Sequence, residues 1–372
     1  MVVVGSLVEG AQASQTDLLL TLVDEPLFVG DATLDNSGSR ATGAPRLSAN
    51  LHFNSPLQRG DLLSTNLIHT EGSNYLRLAG TLPVGDAGWR IGANASTMRY
   101  RLVTHEFAAL DSNGTSNGLG LEVSYPLIRS RLQNLYFNAS ADHKSFDNQA
   151  NSATSTHYTT RNLGLSLSGN LFDKLGGGGA NSASLALTGG QLNLANSPNQ
   201  ALDAASTQTD GHFNKLRYSV SRQQIITDAL ALYGAFSGQW ASKNLDSSEK
   251  FYLDGASGVR AYPGSEAGGA AGKLINLELR WRLPQGLNLA GFYDYGQVTV
   301  NPHNNFAGAP VLNDYSLKGA GLALAWQGNS GLSLKAAWAR RIGNNPNPSA
   351  TGKDQDGSLV KNRCWLTASV RF

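Results

Sequence analysis

The sequence predicts an all-β protein: a transmembrane antiparallel β-barrel of about 16 strands over residues 26–372, preceded by a short N-terminal piece at residues 1–25. Three observations carry this. Apolar and polar residues alternate with a period of two in segment after segment, the mark of strands with two unlike faces. Most segments run to about 9–14 residues, longer than the usual strand of a soluble protein and matched to a tilted crossing of a bilayer. The connections alternate between short turns and long polar loops, as in a barrel whose two rims differ.

Composition removes the competing classes. Charged residues make up 15% of the 372, against roughly 25% in typical soluble domains. Leucine, tyrosine, phenylalanine and tryptophan recur along the whole chain, so it is not disordered. No apolar run approaches the ~20 residues of a spanning helix, and no helical pattern separates the strands, which excludes a parallel βαβ architecture. The fixed-period repeats of a propeller are absent, and a sandwich of this length would need two domains and a linker. With a net charge of +2 and no basic run, no nucleic-acid partner is expected. Cys364 is the only cysteine, which excludes an internal disulfide and a cysteine-based zinc cluster. The chain opens without a basic segment followed by an apolar core, so no signal peptide is expected in it as written.

Residues 1–25 hold two apolar runs, Met1–Val4 and Leu18–Val23, split by a polar linker. They read as the tail of a small mixed domain, or alternatively as a surface strand pair of the main body. Strands are then expected to start near residues 27, 45, 61, 74, 88, 117, 132, 157, 182, 213, 229, 272, 286, 317, 331 and 361. Leu47, Ala49, Leu51 and Phe53 alternate with Ser48, Asn50 and His52. Ile275, Leu277, Leu279 and Trp281 alternate with Asn276, Glu278, Arg280 and Arg282. The last strand sets Leu366, Ala368, Val370 and Phe372 against Thr367, Ser369 and Arg371. Short turns are expected at 54–60, 83–88, 126–129, 225–228, 283–286 and 327–331. Long polar loops are expected at 104–117, 147–156, 196–211, 242–272, 301–315 and 343–361. Trp89, Tyr125, Trp240, Trp281 and Trp326 near strand ends fit aromatic girdles.

One loop stands apart. Residues 254–269 carry five glycines and a single arginine, Arg260, among apolar and aromatic neighbours. On the strand after Gln285, Asn288, Ala290, Phe292, Asp294 and Gly296 share one face. This face carries the charge, so it is expected to line the lumen, because charge facing lipid is costly. The loop feeds into the preceding strand, and folded inward it would bring Arg260 to Asp294 as a directional ion pair. Composition alone favours the other reading, an external loop with a solvated arginine.

Val259, Arg260, Ala261 and Tyr262, about 11 residues before a barrel strand, resemble the Val-Arg-Gly-Tyr/Phe loop motif of two-partner secretion transporters, the haemolysin and filamentous-haemagglutinin secretion/activation family. Phe292, Asp294 and Gly296 resemble its second signature, Phe-x-Asp-x-Gly. Residues 35–43 and 54–61 are similar to the family's first strand and loop and its first periplasmic turn. Phe372 resembles the terminal aromatic signal read by the barrel assembly machinery. Ala261 departs from the family's usual glycine, and residues 1–25 resemble only the last strands of a second POTRA domain. The resemblance implies a monomeric pore in the bacterial outer membrane, in contact with the lipid bilayer and lipopolysaccharide, with the 242–272 loop folded inward. It implies export of a large partner exoprotein without ATP. A barrel assembly protein of the same superfamily and a passive porin are the alternatives. No enzyme is expected: the seven histidines show no metal-ligand spacing, no Gly-x-Ser-x-Gly elbow occurs, and no catalytic residue, cofactor or metal site is expected.

Overall fold

Strands of this kind leave every backbone N–H and C=O to be satisfied by a neighbouring strand, and in lipid that demands a sheet without edges. The computed structural model describes all residues except Met1, Ala13, Asp24 and Asp254, and its main sheet is a closed antiparallel barrel of 16 strands. Strands β1 (Val2–Glu9) and β2 (Thr16–Val23) form a separate hairpin. The barrel opens with β3 (Phe28–Asp35), β4 (Arg46–Asn54), β5 (Leu62–Thr70), β6 (Ser73–Val84) and β7 (Trp89–Arg101). It continues with β8 (Asn113–Arg129), β9 (Gln133–Ala150), β10 (Ala153–Asp173), β11 (Gly179–Asn193), β12 (Gly211–Ile225) and β13 (Leu230–Ala241). A long loop carries two two-residue strands that pair with each other, β14 (Phe251–Tyr252) and β15 (Gly268–Gly269). The barrel is completed by β16 (Ala271–Arg282), β17 (Leu287–Thr299), β18 (Asp314–Gln327), β19 (Leu332–Arg341) and β20 (Asn362–Arg371).

Each barrel strand pairs with the next, and β20 closes on β3 from Thr367↔Asp35 to Arg371↔Asp31. This seam has the shortest run of paired residues in the barrel. Phe372 lengthens it, exchanging backbone hydrogen bonds of 2.8 and 3.0 Å with Gly30 and setting its ring beside Phe28. The Asn36 amide adds bonds to the Cys364 carbonyl and the Leu366 N–H.

The two faces separate by polarity. Leu47, Leu119, Leu121, Leu163, Leu277, Leu279, Trp281 and Leu366 stand exposed on the outside of the barrel, where the solvent is lipid. The Trp89 and Tyr125 rings lie 4.5 Å apart, tilted by 31°, near the short-turn rim, a position that fits a girdle.

The sequence misplaces part of the long-loop rim. Strands β8, β9 and β10 have 17, 18 and 21 residues. Most of the connection expected at 147–156 is strand, and the turn is only Asn151 and Ser152, both with positive φ. Above the bilayer both faces of a hairpin are wet, so the apolar alternation stops while the ladder continues.

Candidate functional site

Ordering a glycine-rich segment costs backbone entropy, so the loop at 242–270 needs strong anchors to hold one position. It has two sets, on two adjoining arcs of the barrel wall. Its first leg rests on β10, β12 and β13. Glu249 pairs with Lys215 and accepts from Asn162 Nδ2 at 2.9 Å. Tyr158 donates to Asp246 at 3.0 Å, and Arg217 donates to the Lys250 carbonyl at 3.0 Å. The Gln239 amide donates to the carbonyls of both Glu249 and Ala270.

The tip rests on β16–β20, and Arg260 is its centre. Its Nε and Nη2 donate to the two oxygens of Asp294 at 2.9 and 2.7 Å, a bidentate pair, and its backbone N–H adds a third bond at 3.1 Å. Nη1 donates to Glu278 at 2.8 Å. The guanidinium lies 3.5 Å from the centre of the Phe292 ring, a close cation–π contact. Its carbonyl accepts from Trp365 Nε1 at 2.7 Å. Asp294 is 0% exposed and takes a fourth bond from Asn276, whose amide also holds the Gly258 carbonyl. Glu278 is shared with Arg280, which stacks on Tyr233.

Local geometry assigns a task to each motif residue. Phe292 supports the guanidinium from below and Asp294 clamps it. At Gly296 a Cβ would stand 2.8 Å from Leu253 and 3.1 Å from Val259, so only glycine leaves room for the loop. Opposite Asp294, Gly319 does the same for Ala261, whose methyl fills the space where a Cβ would meet it at 2.6 Å. Val259, Ala261 and Tyr262 are buried in one apolar cluster with Leu253, Phe292, Val298, Leu317 and Ala339, inside the barrel rather than in lipid. Arg341 lies 4.2 Å from the Tyr262 ring centre, and burial pushes the Tyr262 phenol up to about 12. Farther along, Glu266 accepts from the Asn345 amide and the Gln355 N–H of the last long loop. Burial raises its carboxyl above the ordinary range, and those two hydrogen bonds offset part of the rise.

The structure thus places Val259, Arg260, Ala261, Tyr262, Phe292, Asp294 and Gly296 in one site. Phe372 lies apart, at the seam, and Asp254, the first residue of the glycine-rich stretch, is outside the described residues. Sequence reasoning missed Trp365, Arg341, Asn276 and the whole Glu249–Lys215 anchor. Trp365 had a signal: it is the lone large aromatic on the polar face of β20. Among the described residues no cluster of histidine, cysteine and carboxylates could hold a metal ion.

Comparison with known proteins gives a consistent family. Residues 14–324 match the family described as haemolysin secretion/activation protein ShlB/FhaC/HecB. The Heme/hemopexin transporter protein HuxB of Haemophilus influenzae (strain 86-028NP) is 28% identical over 347 residues, 90% of this chain and 60% of HuxB. The outer membrane transporter CdiB of Dickeya dadantii (strain 3937) is 23% identical over 337 residues, 88% of this chain and 58% of that protein. The chain therefore spans about three fifths of the length of these relatives. Among solved structures, CdiB from Escherichia coli matches with a TM-score of 0.77 at 18% identity, covering 100% of this chain and 67% of that one. BamA from Haemophilus ducreyi lacking POTRA domains 1–3 matches at 0.63 and 15% identity, covering 100% of this chain and 75% of that one. At such identities the structures speak for the fold alone.

Proposed function

This chain belongs to the haemolysin secretion/activation protein family and is an integral outer-membrane β-barrel, and from that premise we propose that it is the pore through which one large partner exoprotein leaves the cell by two-partner secretion. The observation that supports this most is the loop held inside the lumen by Arg260 on Asp294 and Glu278. The match to a secretion/activation family, together with this clamped loop, favours export over passive diffusion. A clamped loop can set when and how far the pore opens to an unfolded chain. The pore uses no ATP, because the periplasm supplies none, and transport rather than catalysis is its work.

In this reading residues 1–25 are the last strands of a periplasmic POTRA domain. Phe372 is the terminal residue read by the barrel assembly machinery. Lipid and lipopolysaccharide surround a monomer.

Deletion of the gene tests the proposal. Loss of a single large exoprotein from the surface and medium, with other outer-membrane proteins at normal levels, is the expected result. General depletion of outer-membrane barrels would mean that the protein assembles barrels instead. No change in either would refute export.

A further inference from the structure

We infer that the exported chain passes the loop in extended form along the wall of β4–β8, against Asn66, Arg77 and Ser96; this rests on the export reading above. The loop decides where a chain can pass. Among the described residues its anchors fall on β10, β12, β13 and β16–β20, so it crosses one side of the lumen and leaves the other bare.

One register-aligned row of inward positions shows the change. Asn50 faces Asn66, Asn66 faces Arg77, Arg77 faces Ser96, Ser96 faces Gly118, Gly118 faces Lys144 and Lys144 faces Thr160. From Asn50 to Lys144 the row is partly exposed. At Thr160 exposure falls to 1%, and at Leu192, the next position on β11, to 2%, in the region where Asp246 and Glu249 of the loop lie. Nothing can thread between those strands and the loop without lifting it. On β4–β8 the wall carries none of the three buried apolar clusters that fill the other side.

The chemistry of the bare wall suits an unfolded polypeptide. Asn66 donates to Asn50 at 2.6 Å and Asn50 donates to Asp31 at 3.1 Å. These amides already form a chain, and their remaining donors and acceptors can exchange with passing peptide groups. Neutral amides and hydroxyls bind backbone weakly and without regard to sequence, whereas an exposed apolar wall would retain an unfolded chain. Arg77 forms no ion pair among the described residues. The barrel is closed, so neither lipid nor a second copy reaches this face; only something inside the lumen does.

Two measurements test the route, both in a Cys364→Ser background. In planar bilayers, single cysteines replace Asn66, Ser96, Thr160 or Leu317 and meet a charged methanethiosulfonate reagent. Loss of most of the open-channel current at Asn66 and Ser96, with little at Thr160 and Leu317, is expected. Current loss at Thr160 or Leu317 instead would overturn the route, whether or not the protein exports anything. In cells, the exoprotein identified by gene deletion is stalled by a fused disulfide-closed domain, and a photo-crosslinking residue replaces Asn66, Ser96, Ser184 or Ser219. Crosslinks concentrated at the first two support the route. Crosslinks concentrated at Ser184 and Ser219 on the β11–β12 wall, with export intact, would refute it and leave the export reading standing. If deletion reveals no exoprotein, the export reading fails and the route of an exported chain falls with it, while the current measurement then reports only which wall lines the open channel.

Discussion

Two walls of the same lumen are built from the same alternating strands, yet one is a packed interior and the other a wet surface. On β16–β20, inward positions carry Phe292, Asp294, Gly296, Leu317, Gly319 and Ala339, and the loop is packed onto them until Asp294 and Leu317 have no exposure at all. On β4–β8, inward positions carry Asn50, Asn66, Arg77, Asn94 and Ser96, all partly exposed. The difference teaches that alternation specifies a barrel but not what its lumen holds. That second property comes from a few residues on the inner face: two glycines that leave room, one carboxylate that clamps, one aromatic ring that supports.

Substitutions on the two walls should therefore differ in size. Asp294→Ala should have the largest effect. It leaves a buried guanidinium with Glu278 alone, and breaking one side of a buried pair costs about 3–5 kcal/mol. The barrel should still form, since its ladders are untouched, while residues 255–269 become open to protease from outside and export falls. A loop still protected in this variant would refute the clamp.

Gly296→Val should come next, because it forces a side chain into Leu253 and Val259, where overpacking costs about 1–3 kcal/mol. Raised hydrogen exchange at the loop tip with unchanged exchange in β4–β8 is the expected pattern. Trp365→Phe keeps an aromatic ring at the position but removes the indole N–H and its hydrogen bond to the Arg260 carbonyl, about 1 kcal/mol for the bond itself, read as a smaller loss of hydrogen-exchange protection at the loop tip than in Gly296→Val. Asn66→Ala, on the bare wall, should change barrel stability by less than about 0.5 kcal/mol in urea unfolding from detergent micelles. A cost as large as that of Asp294→Ala would erase the distinction between the walls.

The smallest effect concerns pH. Glu266 has a raised carboxyl pKa in the folded loop, so its contribution is complete at acidic pH and is lost as pH rises through the raised value. Protection of the junction between residues 266 and 345 should thus decline from acidic toward neutral pH, and Glu266→Gln should flatten that profile. A decline of equal size in the variant would assign the pH dependence elsewhere.

Much of this was legible in the sequence because a membrane strand writes its two environments into alternate residues. The strand positions, the barrel, and the face carrying Phe292, Asp294 and Gly296 follow from that code. The code fails where both faces are wet, which is why the tops of β9 and β10 read as a loop around 147–156. It also fails inside the lumen. Lys215 and Glu249 lie on polar segments 34 residues apart, and nothing local announces that they meet. Trp365 sits on the correct face to reach the loop, but its partner is a backbone carbonyl, which no side-chain pattern can reveal.

The most direct measurement of the central claim is a double-mutant cycle between Arg260 and Asp294, read as hydrogen-exchange protection of residues 255–269. If the loop is held in the lumen by this pair, Arg260→Ala and Asp294→Ala should each lower protection, and the double variant should lower it little further. The coupling should reach about 2–3 kcal/mol, at the upper end for residues in contact. Additive effects would mean that Arg260 and Asp294 hold the loop independently rather than as a pair, and full protection in both single variants would mean that apolar packing alone holds it; either result contradicts the clamp.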